Sequence, residues 1–297
     1  MYKNLSTAAL GISGTQSEII EQALSNGFKG LDLDLVDFSQ QVKLRGLEQS
    51  RRLLDSARLK MGTFQLPVDW QDSDAKFRRD MATLPEALQM AQGLGCLRAV
   101  TTLQPASDDR PYHQNFEFTR KRLADIATVL EPLGMRLGVG IVAPAYHRSG
   151  KAFEFVSTWA VLNMLIGMVL RPSVGFAVDV WQMHVGGADV VDAVRKLTPQ
   201  QIVSVSLADC PPEADLATIR EESRLLPNPS GVIPSAAVLT ALAEMGYDGP
   251  ITPAPHSKQL AGQRRDQIVQ QTAQALDAVW KAAGLNAAGK LTAQTAG

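Results

Sequence analysis

The chain is poor in cysteine, in net charge and in long apolar runs, and each shortage removes a class of protein. It has two cysteines, Cys96 and Cys210. Their separation matches no zinc-binding spacing, and two thiols give no disulfide framework for a small secreted scaffold. A reducing, cytoplasmic setting is therefore expected. The formal net charge is −1, so no basic field favours nucleic acid or an anionic membrane, and neither is expected as a partner. The opening residues MYKNLSTAALGIS lack the apolar core of a signal peptide. The most apolar stretch is FVSTWAVLNMLIGMVL, at 155–170, and Ser157, Thr158 and Asn163 interrupt it. It falls short of the roughly 20 residues a spanning helix needs, so a buried helix is expected there. No GxGxxG follows the first apolar run, which argues against a dinucleotide-binding fold.

Hydrophobic residues make up 45% of the 297 positions, enough for a large core. Short apolar runs alternate with helical patterns along the whole length. STAALGI precedes TQSEIIEQALSNG, where Thr15 and Glu18 have capping-box spacing and Asn26-Gly27 ends the helix. KGLDLDL, KMGTFQLP, LRAVTTL, MRLGVGIV, SVGFAVD, QIVSVSL and PITPAP are each followed by a helical pattern in the same way. Such alternation implies a parallel sheet covered by helices, and about eight units fit an α/β fold of the (β/α)₈ TIM-barrel type. No linker splits the chain. One domain is expected over 1–285, with a loose, small-residue tail at 286–297.

In this barrel class the site lies at the C-terminal strand ends, and residues two apart on a strand share a face. Asp32 and Asp34 share a face on the second strand, and Thr63 and Gln65 on the third. The loop after the fourth strand carries Asp108, Asp109, Arg110, Tyr112 and His113. The sixth strand ends FAVDVWQMH, with Asp179, Gln182 and His184. Asp209 follows the seventh strand, where it can cap the loop, and His256 follows the eighth. His147 completes the four histidines, all placed just beyond strand ends. If Asp179 faces inward, the inner rows of the later strands are small: Gly138 and Gly140, Gly175 and Ala177, Ser204 and Ser206, Thr252 and Ala254. Small residues there mean either simple packing or a cavity with room for a ligand.

GVIPSAAVLTALAEMGYDGPITPAPH, EIIEQALSNGFKGLDLDL, EPLGMRLGVG and SVGFAVDVWQMH occur in the order expected of the sugar-phosphate isomerase/epimerase family, the xylose-isomerase-like TIM barrels, and the chain resembles that family over most of its length. The resemblance implies a divalent metal held by two glutamates, an aspartate and a histidine from strands five to eight. It also implies proton transfer between adjacent carbons of a small carbohydrate. Of those ligand positions only Asp179 is retained; the others fall on Gly140, Ser206 and Ala254, and the substrate-touching histidine falls on Gln182. One carboxylate does not hold a hard divalent ion.

Two readings follow. The first is an isomerase or epimerase acting on a small carbohydrate by proton transfer through an atypical site. The second is a non-catalytic barrel that binds a carbohydrate-like ligand or a partner. Asp179 and Asp32 are the candidate catalytic groups, and Gln65, His113, Gln182, His184 and His256 the candidate substrate contacts. Asp179 is the one candidate metal ligand, without a full site around it. A relocated set of Asp179, His184, His256 and Gln65 is an alternative. The residues themselves call for no cofactor, and a divalent metal is the one the resemblance leaves open.

Overall fold

In the computed structural model, which describes residues 1–292, each expected apolar run after the first forms a strand followed by at least one helix. The first, STAALGI, instead supplies the short helix Thr7–Leu10 capped by Ser6, and the first strand lies just before it at Tyr2–Leu5. The barrel strands are β1 (Tyr2–Leu5), β2 (Gly30–Leu33), β3 (Lys60–Gln65), β4 (Arg98–Thr102), β5 (Arg136–Gly140), β6 (Val174–Asp179), β7 (Ile202–Leu207) and β8 (Pro250–Pro253). Each pairs in parallel with its neighbours in the chain, and β8 returns to β1 through Tyr2↔Pro250 and Lys3↔Ile251. The ring is closed, as the alternation of strand and helix patterns predicts.

Register across the late strands brings their ends level. Asp179 pairs with Ser206, and Ser206 with Thr252. Two glycines let the wall close tightly. A side chain at Gly175 would have its Cβ 2.2 Å from the Gln201 carbonyl oxygen, and one at Gly138 would sit 2.9 Å from Val203 Cβ. Gly140 differs, because a Cβ there would meet nothing nearer than 3.5 Å.

The helices bury one face each against the strands. Leu123, Ile126 and Leu130 on the helix Tyr112–Leu130 are fully buried, as are Leu84 and Leu88 on Asp74–Gly93. Each such side chain contributes roughly 1.5–3 kcal/mol of transfer free energy. Several helices start on a side-chain cap. Thr15 and Glu18 form the expected capping box. Asp34 accepts the Val36 and Asp37 amides at the head of Leu35–Arg45.

Two further expectations need correction. The apolar stretch 155–170 is a helix only from Trp159 to Val169, and it is not buried all round. Trp159, Leu162, Leu165, Ile166 and Val169 face inward, while Met164, Met168 and Leu170 are exposed. Its apolar content exceeds what its one buried face needs. The tail expected to be loose from residue 286 is tied down as far as 292. Leu285 and Leu291 form an isolated bridge, and the Thr292 amide donates to Gly284 O at 2.9 Å. The rest of that expectation, 293–297, lies outside the described residues. Among them, no helix is long and apolar enough to cross a membrane.

Candidate functional site

A cavity of about 720 Å³ opens at the C-terminal ends of the strands. Asp32, Thr63, Ser204, Ser206, Thr252 and Arg224 supply much of its polar lining, and Gly140, Ala177 and Ala254 leave the room. The small inner rows read from the sequence thus make a hollow at the upper end of the barrel and packing below it.

Asp32 lies on one wall. Its Oδ1 accepts from Asn4 Nδ2 at 2.8 Å, from the Thr63 amide at 2.8 Å and from Thr63 Oγ1 at 3.0 Å. Asn4 Nδ2 also donates to Thr252 Oγ1 at 3.0 Å, which ties β1, β2, β3 and β8 together. Burial pushes the Asp32 pKa above the ordinary carboxylate value, against the opposing pull of hydrogen bonds from Thr63, Asn4 and Ser6. The folded chain therefore holds this proton more tightly than the unfolded chain does. Stability attributable to Asp32 falls as pH rises from the unfolded value of about 4 towards the raised one. Asp32→Asn removes that slope. In urea denaturation across pH, the stability of the variant relative to wild type should climb from about pH 4 upward and then level off. A difference that stays flat over that range would contradict the raised pKa.

Asp179 occupies the opposite wall, and both its oxygens accept from protein donors. Its Oδ1 accepts the Trp181 and Gln182 amides at 3.0 and 3.1 Å, capping the short helix Val180–Val185. Its Oδ2 accepts from Arg224 Nη2 at 2.9 Å. Arg224 also donates from Nε to the Ala254 carbonyl at 3.0 Å, and its guanidinium lies 5.2 Å from the Trp181 ring centre. The Arg224 backbone is fixed as well. Next to it, Leu225 bridges Asp209 through paired hydrogen bonds, and Arg224 O accepts the His256 amide. Asp209 braces this loop, as its position suggested, accepting the Cys210 and Ile233 amides.

Gln65 and Gln182 also line the cavity. Gln182 Oε1 accepts the Ala143 amide at 2.7 Å, so its carbonyl is structural. The three candidate histidines are not among the lining residues. His184 follows Gln182 by two positions on a helix, and residues so spaced face apart. It is half-buried, which pushes its pKa down. His256 accepts the Lys258 amide through Nδ1 and caps a 3₁₀ turn. His113 sits in the first turn of Tyr112–Leu130, edge-on to Tyr112. The fourth histidine, His147, pairs with Glu221 at 2.8 Å. Geometry thus assembles Asp32, Asp179, Gln65 and Gln182 and leaves the histidines elsewhere. Arg224 is the central residue that the sequence reading lacked. It lies 45 positions from Asp179 in an irregular loop, and no motif marks it.

The donors present do not suit a divalent ion. Both Asp179 oxygens are engaged, and the neighbouring strand ends carry Gly140, Ser206 and Ala254. Among the described residues, no three His, Cys, Asp or Glu side chains converge as a metal-binding group.

A closed parallel barrel with a polar hollow at its strand ends is the architecture of the TIM barrel. This chain belongs to the xylose isomerase-like TIM barrel family, which it matches over residues 20–279. Among solved structures, a xylose isomerase domain protein from Alicyclobacillus acidocaldarius subsp. acidocaldarius is 23% identical, with a TM-score of 0.85 over 95% of this chain and 99% of that one. The IolI protein with a bound zinc atom is 16% identical, with a TM-score of 0.79 over 95% of this chain and 99% of the other. The D-psicose 3-epimerase of Clostridium cellulolyticum H10, solved with D-tagatose, is 14% identical, with a TM-score of 0.74 over 95% and 99%. No curated protein matches the chain.

Proposed function

We propose that the chain binds a small carbohydrate-like molecule in the barrel-mouth cavity and does so without a divalent metal. One observation carries the reading: a polar hollow of ligand size surrounds an Asp179 whose oxygens are already engaged by protein donors. About 720 Å³ lies within the range of small-molecule sites. Hydroxyls from Thr63, Ser204, Ser206 and Thr252 offer both donors and acceptors, which suits a hydroxyl-rich ligand. The likeness to an epimerase solved with D-tagatose points to the same ligand class. Calorimetric titration with neutral ketoses, aldoses and polyols, with and without EDTA, tests the reading. Binding indifferent to EDTA is expected. Binding that EDTA abolishes would overturn it.

A second reading, proton transfer on the bound ligand, is favoured by Asp32. A carboxyl whose proton affinity is raised beside a ligand cavity is better suited to give and take a proton than an ordinary carboxylate. Solvent deuterium should then enter a carbon-bound position of a bound ketose and fail to enter with Asp32→Asn. Equal incorporation by both proteins would remove Asp32 from the chemistry.

A further inference from the structure

We propose that Arg224 is the built-in cation of this site: its guanidinium replaces a divalent ion as the charge partner of Asp179, and its Nη1 holds an oxygen of an uncharged ligand. The inference rests on the metal-free carbohydrate reading above and adds the residue that makes it workable.

Arg224 reaches the mouth from the loop after β7, yet its head group bridges the ends of β6 and β8 through Asp179 and the Ala254 carbonyl. Those are two of the four strand ends from which the family resemblance draws metal ligands. A second cation within coordinating distance of Asp179 Oδ2 would meet a guanidinium already 2.9 Å from it. The two cations compete for one carboxylate, and like charges so close repel strongly. Packing does not force the loss of ligands, since Gly140 has room for a Cβ. The charge balance at Asp179 is complete without them.

The fork is only partly used. Nε and Nη2 have acceptors, while Nη1 has none among the described residues. Nη1 is also absent from the sealed polar atoms left without partners, which are Asn4 Oδ1, Trp181 Nε1 and Ser235 Oγ. It therefore has accessible surface, and Arg224 lines the cavity. Arg224 is held at low cost in entropy, because its backbone is pinned and its plane lies near Trp181. The ligand class follows from charge. Asp32, Asp34 and Asp179 line the cavity against the single guanidinium of Arg224. A carboxylate or phosphate would face more negative than positive groups, whereas a carbonyl or hydroxyl oxygen of a neutral sugar accepts from Nη1 without that repulsion.

The test uses the full-length protein with Arg224→Met, Arg224→Lys and Asp179→Asn. Thermal unfolding of wild type, both single variants and the Arg224→Met/Asp179→Asn double variant gives a coupling between the two side chains. The midpoint should fall in each single variant, and the double variant should lose clearly less than the sum. Additive losses overturn the charge-partner half of the proposal, as does a stoichiometric Mn²⁺ in wild type that Asp179→Asn loses. If Arg224→Met does not fold, Arg224→Lys takes its place in the cycle. For the ligand half, affinity for a neutral ketose in EDTA should drop at least tenfold in Arg224→Met and Arg224→Lys, and the matching sugar acid should bind more weakly than the neutral sugar. Sugar affinity unchanged in both variants, or preference for the acid, overturns that half while the carbohydrate reading stands. No sugar binding by wild type, alongside a coupled cycle, overturns the carbohydrate reading and the ligand half and leaves Arg224 as the partner of Asp179.

Discussion

Replacing Asp179 by alanine should lower the unfolding free energy by about 3 kcal/mol. Two losses combine. The helix Val180–Val185 loses the carboxylate that accepts its first amides, a change worth about 1 kcal/mol. Arg224, only 11% exposed, is left without its anion. Breaking a fully buried pair costs about 3–5 kcal/mol, and contact with the open cavity reduces that to about 2. Asp179→Asn keeps one oxygen for the helix amides and should lose less. Urea denaturation at neutral pH, with the m-value unchanged, is the measurement. A cost below about 1 kcal/mol for the alanine variant would mean that Asp179 is not structurally committed.

Trp70→Ala should cost still more, about 3–5 kcal/mol. The indole is 1% exposed, and its Nε1 donates to Thr101 Oγ1 at 2.9 Å. The same residue's carbonyl accepts from Arg122 Nη1 at 3.0 Å, and the Arg122 guanidinium lies 4.0 Å from the Phe77 ring centre while also pairing with Asp74. Removing the ring therefore opens a void under β4 and loosens the support of the helices beside it. Thr101 also borders the ligand cavity, so its hydroxyl gains freedom when the indole is lost. Trp70→Phe, which fills most of the space but makes no hydrogen bond to Thr101, should lose about half as much. Equal losses for the two variants would place the whole effect in the hydrogen bond and contradict the packing argument.

The fold was legible because periodicity repeats. A strand pattern and a helix pattern recur from Tyr2 to Ala282, and parallel closure is the arrangement that buries both. The site was legible only where strand alternation fixes direction. Asp32, Gln65 and Asp179 sit on strands, so their faces followed from position, and all three reach the cavity. His184 and His256 lie one or two turns past a strand end, where the chain has already changed course and distance along the sequence no longer sets direction. Arg224 was out of reach for a related reason. It stands between the paired residue Leu225 and the 3₁₀ turn Glu221–Ser223, and only tertiary pairing with Asp209 aims it at the mouth. The helix at 159–169 failed differently: apolar composition says that a surface is water-averse, and does not say which side the fold covers.

Closure of the ring has a consequence for the order of assembly. The seam joins Tyr2 to Pro250, positions 248 residues apart, and Asn4 on β1 bonds Thr252 on β8 across it. During synthesis, β1 can settle beside β2 early, but its other edge has no partner until residue 253 has left the ribosome. Asp32 shares Asn4 with that same seam, so its hydrogen-bond surroundings are completed last. Pairings of such long separation are slow to form. The nascent chain should therefore carry an open strand edge for most of its translation, a period in which a chaperone that shields sheet edges would matter more than one that covers helices.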